Sequence, residues 1–354
     1  MTASQAHIIA YDWILEHKPL ATALILFSIA SLSLRALSFF KFFTQTFLVG
    51  GQRLSKFGAK RGAYALVTGA TDGIGREFAF QLAKAGFGIV LVSRSKAKLD
   101  ELAAELGASQ FLNIVVNEFT QATEKQFNVP TKVQVIDFSK PDLHAECHQL
   151  SQKLDGIDVG VLVNNVGRSH DMPVYFAETS EQEMKDIVNI NINGTLAITR
   201  VVLPKMVQKK NGLILNMGSF AGAAPSPMLA TYSGSKAFLA YWSQALAEEY
   251  KNKGIVVQLV NTYFVVSKMS KIRRPSITTP TPKAFVKSVL AHIGQSCGAL
   301  ARPYTLTPYW SHSVADYVLA VLDIPYLLIS YTHRLHIDIR RRALKKRERE
   351  AKSQ

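Results

Sequence analysis

Two side chains in the segment TYSGSKAF have the chemistry and the spacing for proton transfer: Tyr232 and, four residues on, Lys236. On a helix that interval places both on one face, about one turn apart. An ordinary phenol, with a pKa of roughly 10, is a poor acid or base at neutral pH. A neighbouring ammonium is expected to lower it, so that Tyr232 donates a proton to a carbonyl oxygen while hydride arrives at carbon. A second signal is TGATDGIG, which follows an expected strand and places Gly69, Gly73 and Gly75 before a helix beginning near Arg76. Glycine serves where backbone turns with positive φ or closely approaches a pyrophosphate, and the helix N-terminus offers free N–H groups to that anion.

The glycine spacing is T-G-x-x-x-G-x-G rather than G-x-G-x-x-G, and with it the chain resembles the short-chain dehydrogenase/reductase family. NNVG at 164–167, the Tyr-Lys pair and a serine thirteen residues before the tyrosine extend the resemblance over about two-thirds of the chain. The resemblance implies a catalytic set of Asn191, Ser219, Tyr232 and Lys236. Ser219 would hydrogen-bond the reacting oxygen, and Asn191, in NINGT, would hold a water linking the lysine to solvent. It also implies cofactor contacts from Gly69, Thr71, Asp72, Gly73, Ile74 and Gly75, from Tyr232 and Lys236, from Asp137 beside the adenine, and from Asn164, which with Asn165 and Gly167 steadies the central strand. At the end of the second strand, where an NAD site places an acid against the ribose 2′-hydroxyl, stand Ser93 and Arg94. A 2′-phosphate suits Arg94, and to a lesser degree Arg76, so NADPH is the expected cofactor.

The sequence departs from the family in two places. NNVG replaces the usual NNAG, and NTYFVVSKM puts Thr262 and Tyr263 where Pro-Gly is usual and Ser267 where a threonine meets the nicotinamide amide. Tyr263-Phe264-Val265 before a basic loop, with Tyr309 and Trp310 further on, is similar to the membrane-bound 3-ketoacyl-CoA reductases of very-long-chain fatty acid elongation, fungal type, and to the related 17β-hydroxysteroid dehydrogenases. Lys268, Lys271, Arg273 and Arg274 in that loop are expected to hold the phosphates of a coenzyme A thioester. A solvated loop or a headgroup contact is the plainer reading. The resemblance thus implies NADPH-dependent reduction of 3-oxoacyl-CoA, with elongase, dehydratase and enoyl reductase as partners and the endoplasmic reticulum membrane as location. A steroid or acyl-dihydroxyacetone-phosphate ketoreductase is the same-fold alternative. A noncatalytic lipid-binding or scaffold subunit is the alternative of another class, and it would predict an eroded catalytic set.

Such residues need a scaffold that delivers them to one place. Short apolar, β-branched runs (AYALVTG, GIVLVS, KVQVID, DVGVLVNN, GLILNMG, IVVQLV) alternate with amphipathic stretches. That pattern predicts an α/β fold, a doubly wound parallel sheet of Rossmann type covered on both faces, with ligands beyond the carboxyl ends of the strands. Between Pro19 and Phe40 only Arg35 is charged, and the length is what a helix needs to cross roughly 30 Å of hydrocarbon. We expect an N-terminal transmembrane helix, a cleaved signal peptide or an interfacial helix being the alternatives. The expected organisation is 1–18 N-terminal segment, 19–40 transmembrane helix, 41–61 basic linker, 62–300 catalytic domain, 301–332 membrane-associated segment and 333–354 basic tail. The stretch 107–130 reads as a surface insertion, and 319–331 as a membrane-lying or re-entrant segment or else a packed helix.

The formal charge is +15, from 41 Lys and Arg against 26 Asp and Glu. The excess flanks the hydrophobic segments without interleaved aromatics, which favours membrane lipid over nucleic acid as the anionic partner. Lys41, Arg53, Lys56, Lys60 and Arg61 follow the first apolar segment with no acid among them, which would put the catalytic domain on the cytosolic side. Two cysteines, Cys147 and Cys297, form no spaced set for a disulfide framework, and no metal site is expected.

Overall fold

The computed structural model describes residues 16–107 and 127–352. Most of the insertion expected at 107–130 and most of the N-terminal segment lie outside the described residues.

Seven parallel strands form one sheet: β1 (Tyr64–Thr68), β2 (Gly88–Ser93), β3 (Thr131–Val135), β4 (Val159–Asn164), β5 (Gly212–Met217), β6 (Ile255–Val260) and β7 (Thr305–Leu306), in the spatial order 3-2-1-4-5-6-7. The expected doubly wound fold is therefore present. It has one more strand than the apolar runs suggested, because β7 pairs with β6 through only two residues, Thr305 and Leu306, too few for a periodic signal. Alternation along the strands feeds two cores. Ala65, Val67, Ile89 and Leu91 point to one face, where α2 (Gly73–Lys84), α3 (Lys96–Gly107) and α8 (Pro282–Ala291) pack. Leu66, Val90 and Val92 point to the other, covered by α4 (His144–Lys153), α6 (Gly194–Lys209) and α7 (Ala230–Tyr250). Because both faces are buried, the strands read as continuous apolar runs. The strand order reverses between β1 and β4, so their carboxyl ends, at Gly69 and Asn165, open the crevice where this architecture binds ligands.

Two outlying parts frame the sheet. Helix α1 (Lys18–Phe43) continues through a π turn, Thr44–Leu48, and the whole stretch is long and apolar enough to cross a membrane, with 6% of its most apolar window buried. Its base is welded to the domain. Phe42 stacks on Tyr317 with ring centroids 4.3 Å apart, Gln45 Oε1 accepts from the N–H groups of Ser296 and Cys297 (both 3.1 Å), and Gly51 N–H donates to Ala291 O at 2.6 Å. Gly51 has to be glycine, since a Cβ there would stand 2.3 Å from Ile293 O. At the other end, the apolar run 319–331 is split between α9 (Trp310–Leu322) and α10 (Pro325–Lys352), with Asp323 in the left-handed region at the break and Pro325 opening the next helix. The second half of the run and the basic tail share one helix, α10. It docks on the catalytic domain, where His336 Nδ1 meets Pro227 O at 2.7 Å, Arg340 donates to Pro173 O at 3.3 Å, and Arg340 pairs with Glu178.

Candidate active site

Helix α7 delivers Tyr232 and Lys236 on the face turned to the end of β5, which ends one residue before Gly218 and Ser219. Ser219 caps a single helical turn, accepting from Ala221 N–H at 3.2 Å, and its side chain is hydrogen-bonded to Tyr232. Lys236 is buried, and its Nζ donates to Met217 O at 2.8 Å and lies 5.9 Å from the Tyr232 ring centroid. Asn191 sits in a π turn, Asn189–Asn193, joining α5 (Glu181–Val188) to α6. The extra residue in that turn faces Asn191 fully inward, as π turns often do at functional sites. Its amide is held on both sides: Oδ1 accepts from Arg168 N–H at 2.8 Å, while Nδ2 donates to Arg168 O and to Ser235 Oγ, each at 2.9 Å. A Cβ added at Gly167 would meet Asn191 Oδ1 at 3.5 Å and Lys236 Nζ at 3.6 Å, so the missing side chain leaves a polar gap shared by the two. The four expected catalytic residues therefore converge.

The electrostatics correct one expectation. The Tyr232 phenol is held above its ordinary value, because burial outweighs the hydrogen bond from Ser219, whereas the ammonium nearby was expected to lower it. Lys236 is itself pushed down to about 8 by burial, and one of its three N–H donors is held by the Met217 carbonyl. For reduction this direction is useful, since Tyr232 must hold its proton until the carbonyl oxygen takes it.

The glycine loop has the shape a dinucleotide needs. Gly69 and Gly73 have φ of +63° and +53°, and a Cβ at Gly75 would stand 2.2 Å from Gly69 O. Asp72 caps α2 by accepting from Gly73 N–H at 2.9 Å, which leaves the rest of the first turn facing the crevice. The loop is braced by Asn165, whose Nδ2 donates to Thr68 O at 3.0 Å, and not by Asn164, whose amide is buried between Thr199 and Asn216. Asn164 is thus a strand-to-strand tie rather than a side chain reaching the cofactor. Thr71 and Ser93 hydroxyls meet at 3.1 Å, and Ile74 packs on the core behind the loop. Arg94 is exposed at the end of β2, close enough to Asp137 to help hold that carboxyl low. Burial alone would raise the Asp137 carboxyl, but hydrogen bonds from Ser139 and the charges of Arg94 and Lys140 more than offset it. Arg76, expected as a lesser phosphate contact, is instead paired with Glu105 and laid over Phe80 at 4.6 Å.

Ser267 stands at the base of the basic loop, bridged to Ile272, and a Cβ on Gly73 would reach to 3.8 Å from its own Cβ. Beyond it lies a cleft of about 990 Å3 lined by Lys268, Lys271, Arg273, Lys283 and Lys346 among others. Lys268 pairs with Asp72 at 2.9 Å and Lys271 donates to Asp171 O, whereas Arg273 and Arg274 are exposed without a polar partner among the described residues. Lys283 and Lys346 were not anticipated. They come from α8 and the far end of α10, and only the docking of α10 brings Lys346 here. Tyr263, a departure from the family pattern that also narrowed the resemblance, is a half-buried wedge. It stacks between Phe220 (4.4 Å) and His312 (5.1 Å), and its hydroxyl donates to Asp316 Oδ1 at 3.1 Å.

Residues 63–277 match the family model for short chain dehydrogenases. The chain is 55% identical over 312 residues to a protein of Coprinopsis cinerea named very-long-chain 3-oxoacyl-CoA reductase, covering 88% of this chain and 87% of that one. It is 56% identical over 314 residues to a protein of the same name from Laccaria bicolor, covering 88% of each. Among solved structures it is similar to a short-chain dehydrogenase from Sphingobium yanoikuyae in complex with NADPH, with a TM-score of 0.57 and 25% identity over 76% of this chain and 95% of that one. A structure described in a study of 7beta-hydroxysteroid dehydrogenase stereoselectivity aligns with a TM-score of 0.62 at 20% identity, covering 77% of this chain and 98% of that one, and shows the fold alone. Glycine loop, buried lysine and Ser-Tyr hydrogen bond on a doubly wound sheet agree with this: the chain is an oxidoreductase that takes a nicotinamide cofactor, and it belongs to the short-chain dehydrogenase family.

Proposed function

We propose that the chain reduces very-long-chain 3-oxoacyl-CoA to 3-hydroxyacyl-CoA with NADPH, in the elongation cycle at the endoplasmic reticulum. The observation that carries the chemistry is the hydrogen-bonded Ser219–Tyr232 pair beside a buried Lys236. When bound, the reduced nicotinamide supplies hydride to the carbonyl carbon. Ser219 and Tyr232 present hydroxyls to the carbonyl oxygen, and Tyr232 gives up its proton as negative charge gathers there. Lys236 and Asn191 flank the gap above Gly167, through which a water can restore that proton. Asp137, Thr71 and Ser93 line the adenosine side, and exposed Arg94 is free to meet a 2′-phosphate.

The names of the fungal relatives support the acyl-CoA substrate. The cationic cleft supports it over an uncharged steroid, because Lys268, Lys271 and Arg273, with Lys283 and Lys346, suit the phosphates of coenzyme A or of another phosphorylated ketone. Helix α1 would cross the membrane, with the basic residues from Lys41 to Arg61 and the catalytic domain on the cytosolic side. The elongase, dehydratase and enoyl reductase of the cycle would be its partners there.

The test is purified chain in detergent with NADPH or NADH, offered a 3-oxoacyl-CoA, a 17-ketosteroid and acyl-dihydroxyacetone phosphate. Oxidation of NADPH fastest with the 3-oxoacyl-CoA is expected, and a steroid turned over faster would overturn the assignment. Arg94→Asp should reverse the preference for NADPH; an unchanged NADPH/NADH ratio would remove Arg94 from the 2′-phosphate site.

A further inference from the structure

A second, smaller cavity, of about 230 Å3, lies between the base of α1 and the segment that leads into β7. None of its lining residues belongs to the crevice or to the chemistry above. Ser38 and Lys41 of α1 form one wall, Arg302 another, and Tyr317 stacked on Phe42 the floor. The Ser38 hydroxyl is buried with no hydrogen-bond partner among the described residues, although Ser28, earlier on the same helix, donates to Leu24 O at 2.8 Å. A buried donor left unmade is costly, so a group that accepts from it is expected in the cavity. Lys41 has no acid within ion-pair distance among the described residues, and Arg302 gives one nitrogen to Asp316 at 2.5 Å, leaving its other N–H groups available.

We propose that this cavity binds the phosphodiester headgroup of a membrane glycerophospholipid, an inference that rests on α1 being a membrane anchor. The volume is below the roughly 300–1,000 Å3 of a pocket that swallows a whole small ligand, which suits a headgroup and excludes a nucleotide. The anion lies between Lys41 and Arg302 and accepts from Ser38. The source is settled by what adjoins the cavity. Leu34 and Leu37 share the α1 face of Ser38 and Lys41, three to four residues apart, and are 68% and 64% exposed, a path for acyl chains leading straight to the headgroup. Lys41 follows the apolar stretch directly, at the depth where phosphates sit. A lipid held there bridges α1 to the loop beside β7, and so fixes the tilt of the catalytic domain on the membrane.

The full chain in maltoside micelles, stripped of lipid, provides the test. Dihexanoyl-phosphatidylcholine below its micelle-forming concentration should raise the melting midpoint of the wild type, while inorganic phosphate and dihexanoylglycerol should not. In Lys41→Glu the apparent affinity should fall by about tenfold or more, and Ser38→Leu, which fills the cavity, should abolish the shift; retained NADPH binding certifies that each variant is folded. Equal shifts in wild type and both variants would overturn the site, as would a shift given equally by inorganic phosphate or by dihexanoylglycerol. Alkaline carbonate extraction of native membranes separates the two readings. Wild type released into the soluble fraction takes the anchor down and this site with it, whereas wild type retained alongside variants that bind lipid normally takes down the site alone.

Discussion

Around Lys236 each polar side chain is tied in place: the ammonium to Met217 O, Asn191 to both sides of the Arg168 peptide, Ser219 to the turn that it caps and to Tyr232. Around the basic loop at 267–274 the opposite holds, since Arg273 and Arg274 hang in solvent and Lys268 shares its charge with an exposed Asp72. The loop shares its cleft with Asp72 and Gly73 of the glycine loop. The difference is what each must do: proton and hydride transfer fail when the reacting groups are misplaced by about 1 Å, whereas a flexible anionic carrier can be grasped by cations that move with it. The first region is bought with buried polar groups that destabilise the fold; the second costs the fold almost nothing.

The sharpest way to break that contrast is Tyr232→Phe. It deletes one hydroxyl whose bond within the protein is to Ser219, so turnover should fall by about 10³-fold or more while the melting midpoint barely moves. Steady-state rates alongside a thermal melt check it, and persistence of turnover near the wild-type rate would remove Tyr232 as proton donor. Next in size is Gly75→Ala. With a Cβ 2.2 Å from Gly69 O and 2.4 Å from Asn165 Nδ2, it should cost about 1–3 kcal/mol and loosen NADPH binding. Gly234→Ala, on the same helix as Tyr232 but with nothing among the described residues within 4 Å of the new methyl, should be neutral or mildly stabilising. Equal losses at the two glycines, measured by urea melts and cofactor titration, would mean that the crevice is not rigid in the sense argued.

Lys236→Met examines the cost of burial directly. The folded chain holds this ammonium at about 8 against an ordinary 10.5, so between those values the unfolded state binds more protons and stability rises with pH. Below pH 8 the full penalty, on the order of 3 kcal/mol, is present. The methionine variant should therefore be inactive yet more stable than wild type at pH 7, with the gap closing as pH approaches 10. Melts at the two pH values test this, and a variant less stable at pH 7 would show that the ammonium stabilises the fold.

What could be read from sequence follows the same division. Tyr232, Lys236 and the glycine loop lie on single elements, where intervals of three to five residues fix geometry, so they were legible. Which of two adjacent asparagines braces the loop was not, because consecutive strand residues face opposite sides and only the register of β1 with β4 sends Asn165 to Thr68. The direction of the Tyr232 shift was hidden for a related reason: four residues of spacing say that an ammonium is near, but not that burial of the phenol outweighs what its neighbours do to it. The least legible feature was α10. Nothing local in a basic, partly apolar helix announces that His336 will meet Pro227 and Arg340 will meet Pro173, contacts made across more than a hundred residues of chain. The contribution of Lys346 to the cleft depends wholly on that docking.

The smallest effect expected tests the loosely held region. Replacing both Arg273 and Arg274 by Ala removes two exposed cations with no partner among the described residues, so stability should hold within about 0.5 kcal/mol. The KM for a 3-oxoacyl-CoA should rise by roughly three- to tenfold, since each lost phosphate contact in solvent is worth about 1 kcal/mol or less, and kcat should stay level because these groups attract ground state and transition state alike. Added salt should mimic the double substitution in the wild type and have little further effect on the variant. An uncharged ketone should show none of this. If its KM rises in step with that of the thioester, the loop shapes the mouth of the crevice rather than reading charge, and the phosphates must be met by Lys283 and Lys346 on the packed helices instead.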